Sequence, residues 1–372
     1  MRILLTGGGT GGHIFPLVAV SKQLKILAKE KGIKYLEIYY LGPDDFGENI
    51  LELEGIKFIS ITTGKLRRYL SAKNIIDIFK IPVGFIQSLW YMFHIMPDVV
   101  FSKGGYGSFP VIVASRLYFI PIIIHESDSI PGISNKITSG FAKKIAISFQ
   151  KSKEYFKNQE KIVITGNPIR EDIKQGLKEE AKKIFNLSGG KPIIFILGGS
   201  LGSKKINDLV LGILSELLLR YEIIHQCGKT NFEIITKESK AIVSENLLGY
   251  YHPYPFMYKE LKHAYAAADI IISRAGAGSI FEIACVGKPS IIIPLSNSAQ
   301  NHQKENAYYY ASSGAAISLE ESNLTPNILL DTINKIYSDP TMMERMKIAA
   351  KNFSKPEAAK IIAENILDLL IH

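Results

Sequence analysis

Short apolar runs and longer amphipathic stretches alternate along most of the chain. The runs Arg2–Leu5, Leu36–Leu41, Lys57–Ile61, Val99–Phe101, Ile122–His125 and Lys144–Ile147 predict strands. Ile122–Ile124 shows no polar alternation, which suits a strand covered on both faces. Amphipathic stretches lie between several of these runs, and Leu17 to Lys31 predicts a helix closed by Gly32 in C-cap position. Strand–helix alternation of this kind predicts an α/β protein, a parallel sheet wrapped by helices. The pattern then restarts. A turn-rich stretch, Thr165-Gly166-Asn167-Pro168, and a polar stretch, Arg170 to Gly190, precede a new buried strand, Ile193–Leu197. Glu222–Gln226, Ile270–Ser273 and Ser290–Pro294 continue the second half, and Lys355–Ile371 reads as one long helix.

Each half opens with strand, glycine loop and helix. This repeat predicts two Rossmann-like domains facing each other across a cleft, over residues 1–165 and 166–354. The tail of about 355–372 is expected to pack back on the first. A length of 372 residues fits two domains. Apolar residues at 47% and charged residues at 21% are ordinary globular values, which excludes a disordered chain, a collagen and a polytopic membrane protein. Lys and Arg number 44 against 35 Asp and Glu. The net charge of +9 fits an anionic partner without choosing among phosphate, nucleic acid and a membrane surface. The two cysteines, Cys227 and Cys285, have no metal or disulfide spacing. Met1 to Leu5 is too short before the first glycine to read as a signal peptide. The greasiest stretch, Ile81 to Met96, carries Pro82, Gln87, Ser88 and His94 and falls short of the ~20 residues a spanning helix needs. A protein made and kept in the cytoplasm is the expectation.

Three glycine clusters carry candidate chemistry. Thr6-Gly7-Gly8-Gly9-Thr10-Gly11-Gly12-His13 lies between a strand and a helix, with Pro16 as candidate first helical residue. Glycines let backbone N–H groups approach an anion, and the helix adds its positive end. Gly7, Gly9 and Gly12 fit GxGxxG, but the acidic residue a dinucleotide needs about 20 positions on is missing. Gly198-Gly199-Ser200-Leu201-Gly202 has the same physics. Ser273 to Glu282 follows a strand and opens a helix whose Glu282 can reach a ribose diol. Each cluster can also be read as a tight turn packed for its own sake, and Glu282 as a solvated helix residue.

The motifs GGGTGGHIFP from Gly7, SKGGYGSFP from Ser102, HESDSIPGISNK from His125 and GNPIR from Gly166 occur in order. GGSLGS from Gly198, HQCGK from His225, SRAGAGSIFE from Ser273 and HQKENA from His302 follow. Together, over essentially the whole chain, they resemble the MurG family, lipid II synthases of the GT-B glycosyltransferase fold. The resemblance implies transfer of N-acetylglucosamine from UDP-N-acetylglucosamine to lipid I, undecaprenyl-pyrophosphoryl-N-acetylmuramyl-pentapeptide. That reaction belongs to peptidoglycan synthesis, and so to cell shape and division, at the cytoplasmic face of the bacterial inner membrane. It also implies roles for particular residues. His13 would be the general base. Thr10, Gly11 and Gly12 would lie against the donor, Arg170 near the nucleotide, and Ser200 on the diphosphate. The Tyr258 backbone would meet uracil. Ala277, Gly278 and Ser279 would flank the phosphates, Glu282 would hold the ribose, and Gln303 would contact the sugar hydroxyls, with Gln300 as its alternative. Gly104, Gly105, Tyr106 and His125 would line the acceptor side. Asp128 stands where many members have Asn; it can accept from a sugar hydroxyl but not donate.

Family members invert the anomeric carbon in one displacement. The acceptor 4-hydroxyl then needs a base, and a histidine suits the task. No paired acids stand at a strand end, so neither a metal nor a cofactor is expected. Between Lys57 and Lys80, Lys65, Arg67, Arg68 and Lys73 add to a basic run opposed by Asp77 alone. Phe85, Leu89, Met92 and Met96 share one helical face beside Ile86, Trp90 and Phe93. This stretch predicts a surface that docks on anionic lipid, a helix packed on the sheet, or both, one for each face. The rival readings are a glycolipid glycosyltransferase using UDP-glucose or UDP-galactose, a UDP-sugar epimerase, a nicotinamide oxidoreductase and a nucleic-acid-binding protein. The last lacks its aromatic-basic or helix-turn-helix motifs, so no nucleic acid partner is expected.

Overall fold

The structure is a computed structural model that describes residues 1–43, 47–64, 72–199 and 202–371. It divides into two compact units, Met1–Arg170 with Lys355–His372, and Glu171–Ser354. Among the described residues, each unit is built on one wholly parallel sheet.

In the first unit the strands are β1 (Arg2–Thr6), β2 (Glu37–Gly42), β3 (Lys57–Ser60), β4 (Val99–Ser102), β5 (Ile122–Glu126), β6 (Lys144–Ile147) and β7 (Ile162–Ile164). Their order is β3-β2-β1-β4-β5-β6-β7. The helices are α1 (Gly11–Glu30), α2 (Glu48–Leu53), α3 (Ala72–Ile95), α4 (Phe109–Leu117) and α5 (Ile133–Thr138). One core, with Ile3, Leu5, Leu17 and Phe101, lies on the α1 face. Another, with Leu4, Met92, Val100 and Ile124, lies on the α3 and α4 face. Covered on both faces, the central strands read as unbroken apolar runs.

In the second unit the strands are β8 (Ile193–Leu197), β9 (Glu222–Gln226), β10 (Tyr251–Tyr254), β11 (Ile270–Arg274), β12 (Ser290–Ile293) and β13 (Ala316–Ser318). Their order is β10-β9-β8-β11-β12-β13. The helices are α6 (Lys178–Phe185), α7 (Lys204–Leu211), α8 (Leu214–Arg220), α9 (Phe232–Ile242), α10 (Glu245–Leu248), α11 (Leu261–Ala267), α12 (Ala277–Val286), α13 (His302–Ser312), α14 (Pro326–Ser338) and α15 (Pro340–Phe353). The chain then returns to the first unit as α16 (Ala358–Ile371), which puts Ile362, Ala363, Ile366 and Leu367 into the core around α1.

The end of α1 follows its sequence. Gly32 takes φ 70°, Gly32 N–H bonds Lys29 O and Ile33 N–H bonds Ala28 O, which closes the helix as a Schellman motif. Its start does not. Pro16 lies inside α1 rather than at its first position, because the helix begins five residues earlier at Gly11. Two glycines at the front of a helix are weak formers and hide its start. The short strands β7, β10 and β13 were also absent from the predicted set. All three are edge strands, and β10 carries Pro253, which a sheet edge tolerates.

Helix α3 packs with one face and exposes another, and of the face Phe85, Leu89, Met92 and Met96 only Met96 stays out of the core. Gly84, Ser88, Met92 and Ile95 are buried, with Phe85 and Leu89 packed beside them. Met96 falls past the helix end at φ 47° and is exposed. Gly84 is required here, since a Cβ would stand 2.0 Å from the Thr62 carbonyl oxygen. The opposite face exposes Phe79, Val83, Ile86, Trp90 and Phe93, spaced at three and four residues. No helix of the described residues is long and apolar enough to cross a membrane.

Candidate active site

In an open parallel sheet the strand order reverses at one point, and ligands bind outside the strand ends there. In the first sheet that point lies between β1 and β4. The loops leaving those two strands are Gly7–Thr10 and Lys103–Tyr106, from the paired ends Thr6 and Ser102. The loops pack on each other across the ring of His13. A Cβ on Gly8 would stand 3.1 Å from the ring's Cε1 and Nδ1, and one on Gly105 would stand 3.1 Å from its Nε2. Glycine at both positions gives the ring its room between the loops. Gly104 and Gly105 also take φ 80° and 87°, a region unfavourable for other residues.

Thr10 is the N-cap residue of α1, yet its side chain does not cap the helix. Its Oγ1 lies 2.8 Å from His13 Nδ1 instead. The amides of Gly11 and Gly12 therefore head α1 with no side-chain cap, in the geometry that receives anions. His13 keeps an exposed edge. Crowding by its surroundings, and secondarily the charge of Lys103, lower its pKa to about 4. The imidazole is thus neutral at pH 7.

Beside this loop lies a buried polar network at the end of β5. His125 has no exposed surface. Its Nε2 lies 3.1 Å from the Gly166 carbonyl oxygen and its Nδ1 lies 2.8 Å from Lys103 Nζ. His125 is therefore placed beneath the surface that Gly105, Tyr106 and Asp128, each partly exposed, present. Glu126 organises the following turn, accepting from Asp128 N–H, Gly132 N–H and Asn135 Nδ2 at 2.9, 3.1 and 2.8 Å. Gly104 lies against the Asn135 amide, where a Cβ would come within 2.6 Å.

In the second sheet the strand order reverses between β8 and β11, and the two other glycine clusters leave those strands. Gly202 takes φ 78°, and a Cβ there would meet the Cys227 carbonyl oxygen at 2.1 Å. Ser200 and Leu201 lie outside the described residues. The Gln226 amide links two loops, as its Nε2 donates to Gly199 O at 3.0 Å and its Oε1 accepts from Met257 N–H at 2.9 Å. Next to Met257, Tyr258 N–H donates to Glu260. After β11, α12 begins at Ala277 with Gly276 as an extended N-cap and no side-chain cap. Gly278 and Ser279 are partly exposed in its first turn. Glu282, one turn on, accepts from the Tyr265 hydroxyl at 2.9 Å. Arg274 binds Ser203 and Glu321, each at 2.6 Å, and so joins the β8 loop to the segment before α14. Gln303 Oε1 accepts from Leu295 N–H at 3.1 Å. Gln300 and Asn301 ahead of it are both left-handed, at φ 54° and 57°. Arg170 ends the first unit, partly exposed. Among the described residues, no three His, Cys, Asp or Glu side chains are grouped to share a metal ion.

Residues 3–147 match the glycosyltransferase family 28 N-terminal domain and residues 193–362 match the glycosyltransferase family 28 C-terminal domain. The chain is 38% identical, over 99% of its length and 97% of the relative's, to a Clostridium tetani protein named UDP-N-acetylglucosamine–N-acetylmuramyl-(pentapeptide) pyrophosphoryl-undecaprenol N-acetylglucosamine transferase. A Geobacillus kaustophilus protein of the same name is 39% identical over 91% of each chain. The chain belongs to the MurG family. Among solved structures, Acinetobacter baumannii MurG covers 99% of each chain with a TM-score of 0.74 at 27% identity. Neisseria meningitidis UDP-GlcNAc 2-epimerase, bound to UDP-GlcNAc, shares the fold with a TM-score of 0.69 at 16% identity. The MurG-family chain thus has the GT-B fold and is a glycosyltransferase.

The first-unit residues singled out in the sequence lie on or after β1, β4 and β5, except Arg170, which follows β7; in the second unit Ala277, Gly278, Ser279 and Glu282 follow β11, whereas Tyr258 follows β10 and Gln300 and Gln303 follow β12. Sequence reading missed Lys103, Gln226, Tyr265 and Arg274 as parts of the site. Lys103, Gln226 and Arg274 stand inside the motifs named above, and for the two charged ones a charge close to a glycine run was the available signal. Tyr265 gave none.

Proposed function

We propose that the protein transfers N-acetylglucosamine from UDP-N-acetylglucosamine to the 4-hydroxyl of the N-acetylmuramyl unit of lipid I, giving lipid II and UDP. The substrates are those in the names of the full-length relatives. The observation that carries the chemistry is the neutral His13, held by Thr10 between two glycine loops at the reversal point of the first sheet.

With Nδ1–H donating to Thr10 Oγ1, the lone pair of Nε2 is the base. It takes the proton of the acceptor hydroxyl as that oxygen attacks the anomeric carbon from the face opposite UDP. The bond to the leaving phosphate oxygen breaks in the same displacement, and inversion gives the β-1,4 link. A pKa near 4 makes a weak base; two bound diphosphates bring negative charge, which raises it toward the working range. The amides of the Gly11–Gly12 turn meet phosphate. In the second unit the loop after β8, with Ser200, and the front of α12, with Ala277, Gly278 and Ser279, receive the charge growing on UDP. Glu282, oriented by Tyr265, accepts from the ribose hydroxyls. Tyr258 meets the base, Arg170 the nucleotide, and Gln303 or Gln300 the sugar. Asp128 accepts from a sugar hydroxyl, and Gly104, Gly105 and Tyr106 face the acceptor.

The exposed stripe Phe79, Val83, Ile86, Trp90 and Phe93 supports docking on the anionic cytoplasmic face of the cell membrane, where lipid I resides. Lys80 stands beside it; Lys65, Arg67 and Arg68, and the side chain of Lys73, lie outside the described residues. Thermal shift separates the donors. UDP-N-acetylglucosamine should stabilise the protein more than UDP-galactose, and NAD should not stabilise it; the reverse order would contradict the donor assignment.

A further inference from the structure

Lys103 has 2% of its surface exposed, which is rare for a lysine without partners. Its N–H bonds Thr6 O at 2.9 Å, which sets it beside the first glycine loop. A Cβ on Gly7 would stand 3.4 Å from both the Lys103 and His13 Cβ atoms, so the two side chains leave the same spot. An ammonium has three N–H donors. Those of Lys103 meet His125 Nδ1 at 2.8 Å, Asn167 Oδ1 at 3.3 Å and Ser127 Oγ. These acceptors come from the end of β5, the loop after it and the segment after β7. Ser127 Oγ in turn donates to Asn167 Oδ1 at 3.2 Å.

The partners fix the state of His125. Nε2 faces the Gly166 carbonyl oxygen at 3.1 Å, which can only accept, and the Ser148 hydroxyl at 3.3 Å, which can accept too, so Nε2 carries the proton. Nδ1 is then an acceptor, and the lysine supplies its hydrogen. The titratable groups around Lys103 are His13 from α1, His125 and Glu126 from β5, and Asp128 from the loop beyond. Burial holds the Lys103 pKa down to about 8, while Glu126 and Asp128 pull it up. Burial, then Asp128, raises the pKa of Glu126.

We propose that Lys103 is a positioning residue of the sugar-binding segment Ser127–Asp128: it locks His125 and Ser127 in place and supplies the charge that offsets the Asp128 carboxylate. The Asp at position 128 and the buried lysine at 103 then act as a pair. This inference rests on the glycosyl-transfer reading.

The test compares Lys103→Met, Lys103→Arg and Asp128→Asn in transfer kinetics from pH 6 to 10, with UDP binding and histidine ¹⁵N NMR alongside. Wild-type turnover should fall as pH rises through about 8, where the ammonium loses its proton. Lys103→Arg should move that limb upward. Lys103→Met should abolish it and lower kcat/KM roughly 10- to 100-fold, the cost of a misplaced contact, with UDP affinity unchanged. Asp128→Asn should do less harm in Lys103→Met than alone. His125 should show the Nε2–H form in wild type, and its Nδ1 resonance should shift in Lys103→Met, where the donor to Nδ1 is gone. An unchanged pH profile in both lysine variants, additive effects of Lys103→Met and Asp128→Asn, or an Nδ1–H His125 in wild type would overturn the proposal. The NMR reading is independent of turnover, so a protein with the expected His125 state but no transfer would contradict the proposed reaction while supporting the lock.

Discussion

Thr10 Oγ1 lies 2.8 Å from Nδ1 of His13, three residues on, and makes no cap to the helix that Thr10 precedes. A threonine in N-cap position ordinarily bonds a backbone N–H of the first turn. Here it orients a ring and leaves the helix front open. His13→Ala should lower kcat by about 10²- to 10⁴-fold, the range for a positioned base, with UDP affinity within a few fold. Thr10→Val should move kcat the same way by less. Rapid-quench turnover and calorimetric UDP binding check both, and near-wild-type turnover in His13→Ala would remove the histidine from the base role.

Much of this site could be read from the sequence because its parts are local. Strand, glycine loop and helix are contiguous from Arg2 to Glu30, so the loop, His13 and the Gly32 stop were visible without the fold. What was hidden is long-range. Lys103 meets Asn167 across 64 positions, and Gln226 joins Gly199 to Met257 across 27 and 31. No periodicity encodes such pairs. The sequence leaves open which face of α3 packs for a related reason: Gly84 and Ser88 are small residues that let a helix approach closely, so the buried face is not the greasiest one.

Gln226 is nearly fully buried and its amide is satisfied at both ends. Gln226→Leu leaves Met257 N–H and Gly199 O without these partners. Stability should fall by about 1–3 kcal/mol, and UDP should bind roughly tenfold more weakly. Urea unfolding and calorimetry measure the two; unchanged UDP affinity with lost stability would confine Gln226 to folding.

Tyr265 on α11 donates to Glu282, one turn into α12. Glu282→Ala should raise the donor KM with kcat largely kept, and Tyr265→Phe should do so by a smaller factor. Steady-state kinetics with varied UDP-N-acetylglucosamine decides it, and a kcat-only loss would contradict a ribose contact.

Three histidines are held neutral by desolvation, with the Lys103 charge adding to it at His13 and His125. His13 is lowered to about 4, His225 to about 3 and His125 well below its ordinary value. The unfolded chain binds these protons near pH 6.5 and the folded one resists them, so stability is present above that pH and lost as pH falls toward 4. The slope is up to about 1.4 kcal/mol per pH unit for each group. Thermal unfolding between pH 7 and 4 should show this decline, and a flat profile would contradict neutral burial.

Trp90 and Phe93 form the C-terminal end of the exposed α3 stripe. Trp90→Ser with Phe93→Ser should weaken binding to vesicles containing anionic lipid while leaving the folded core intact. Sedimentation with anionic and neutral vesicles checks it. Equal binding to neutral vesicles at high salt would defeat the electrostatic part, and unchanged binding by the double variant would defeat the stripe.

The account stands or falls on one assay. The protein is incubated with UDP-N-acetylglucosamine labelled in the sugar and with a lipid I analogue, and label and UDP are followed together. The account predicts label in a β-1,4 disaccharide on the lipid, one UDP released per sugar transferred, and loss of both in His13→Ala. No transfer to the lipid I analogue, or transfer from UDP-galactose or UDP-glucose to a diacylglycerol acceptor instead, would contradict it.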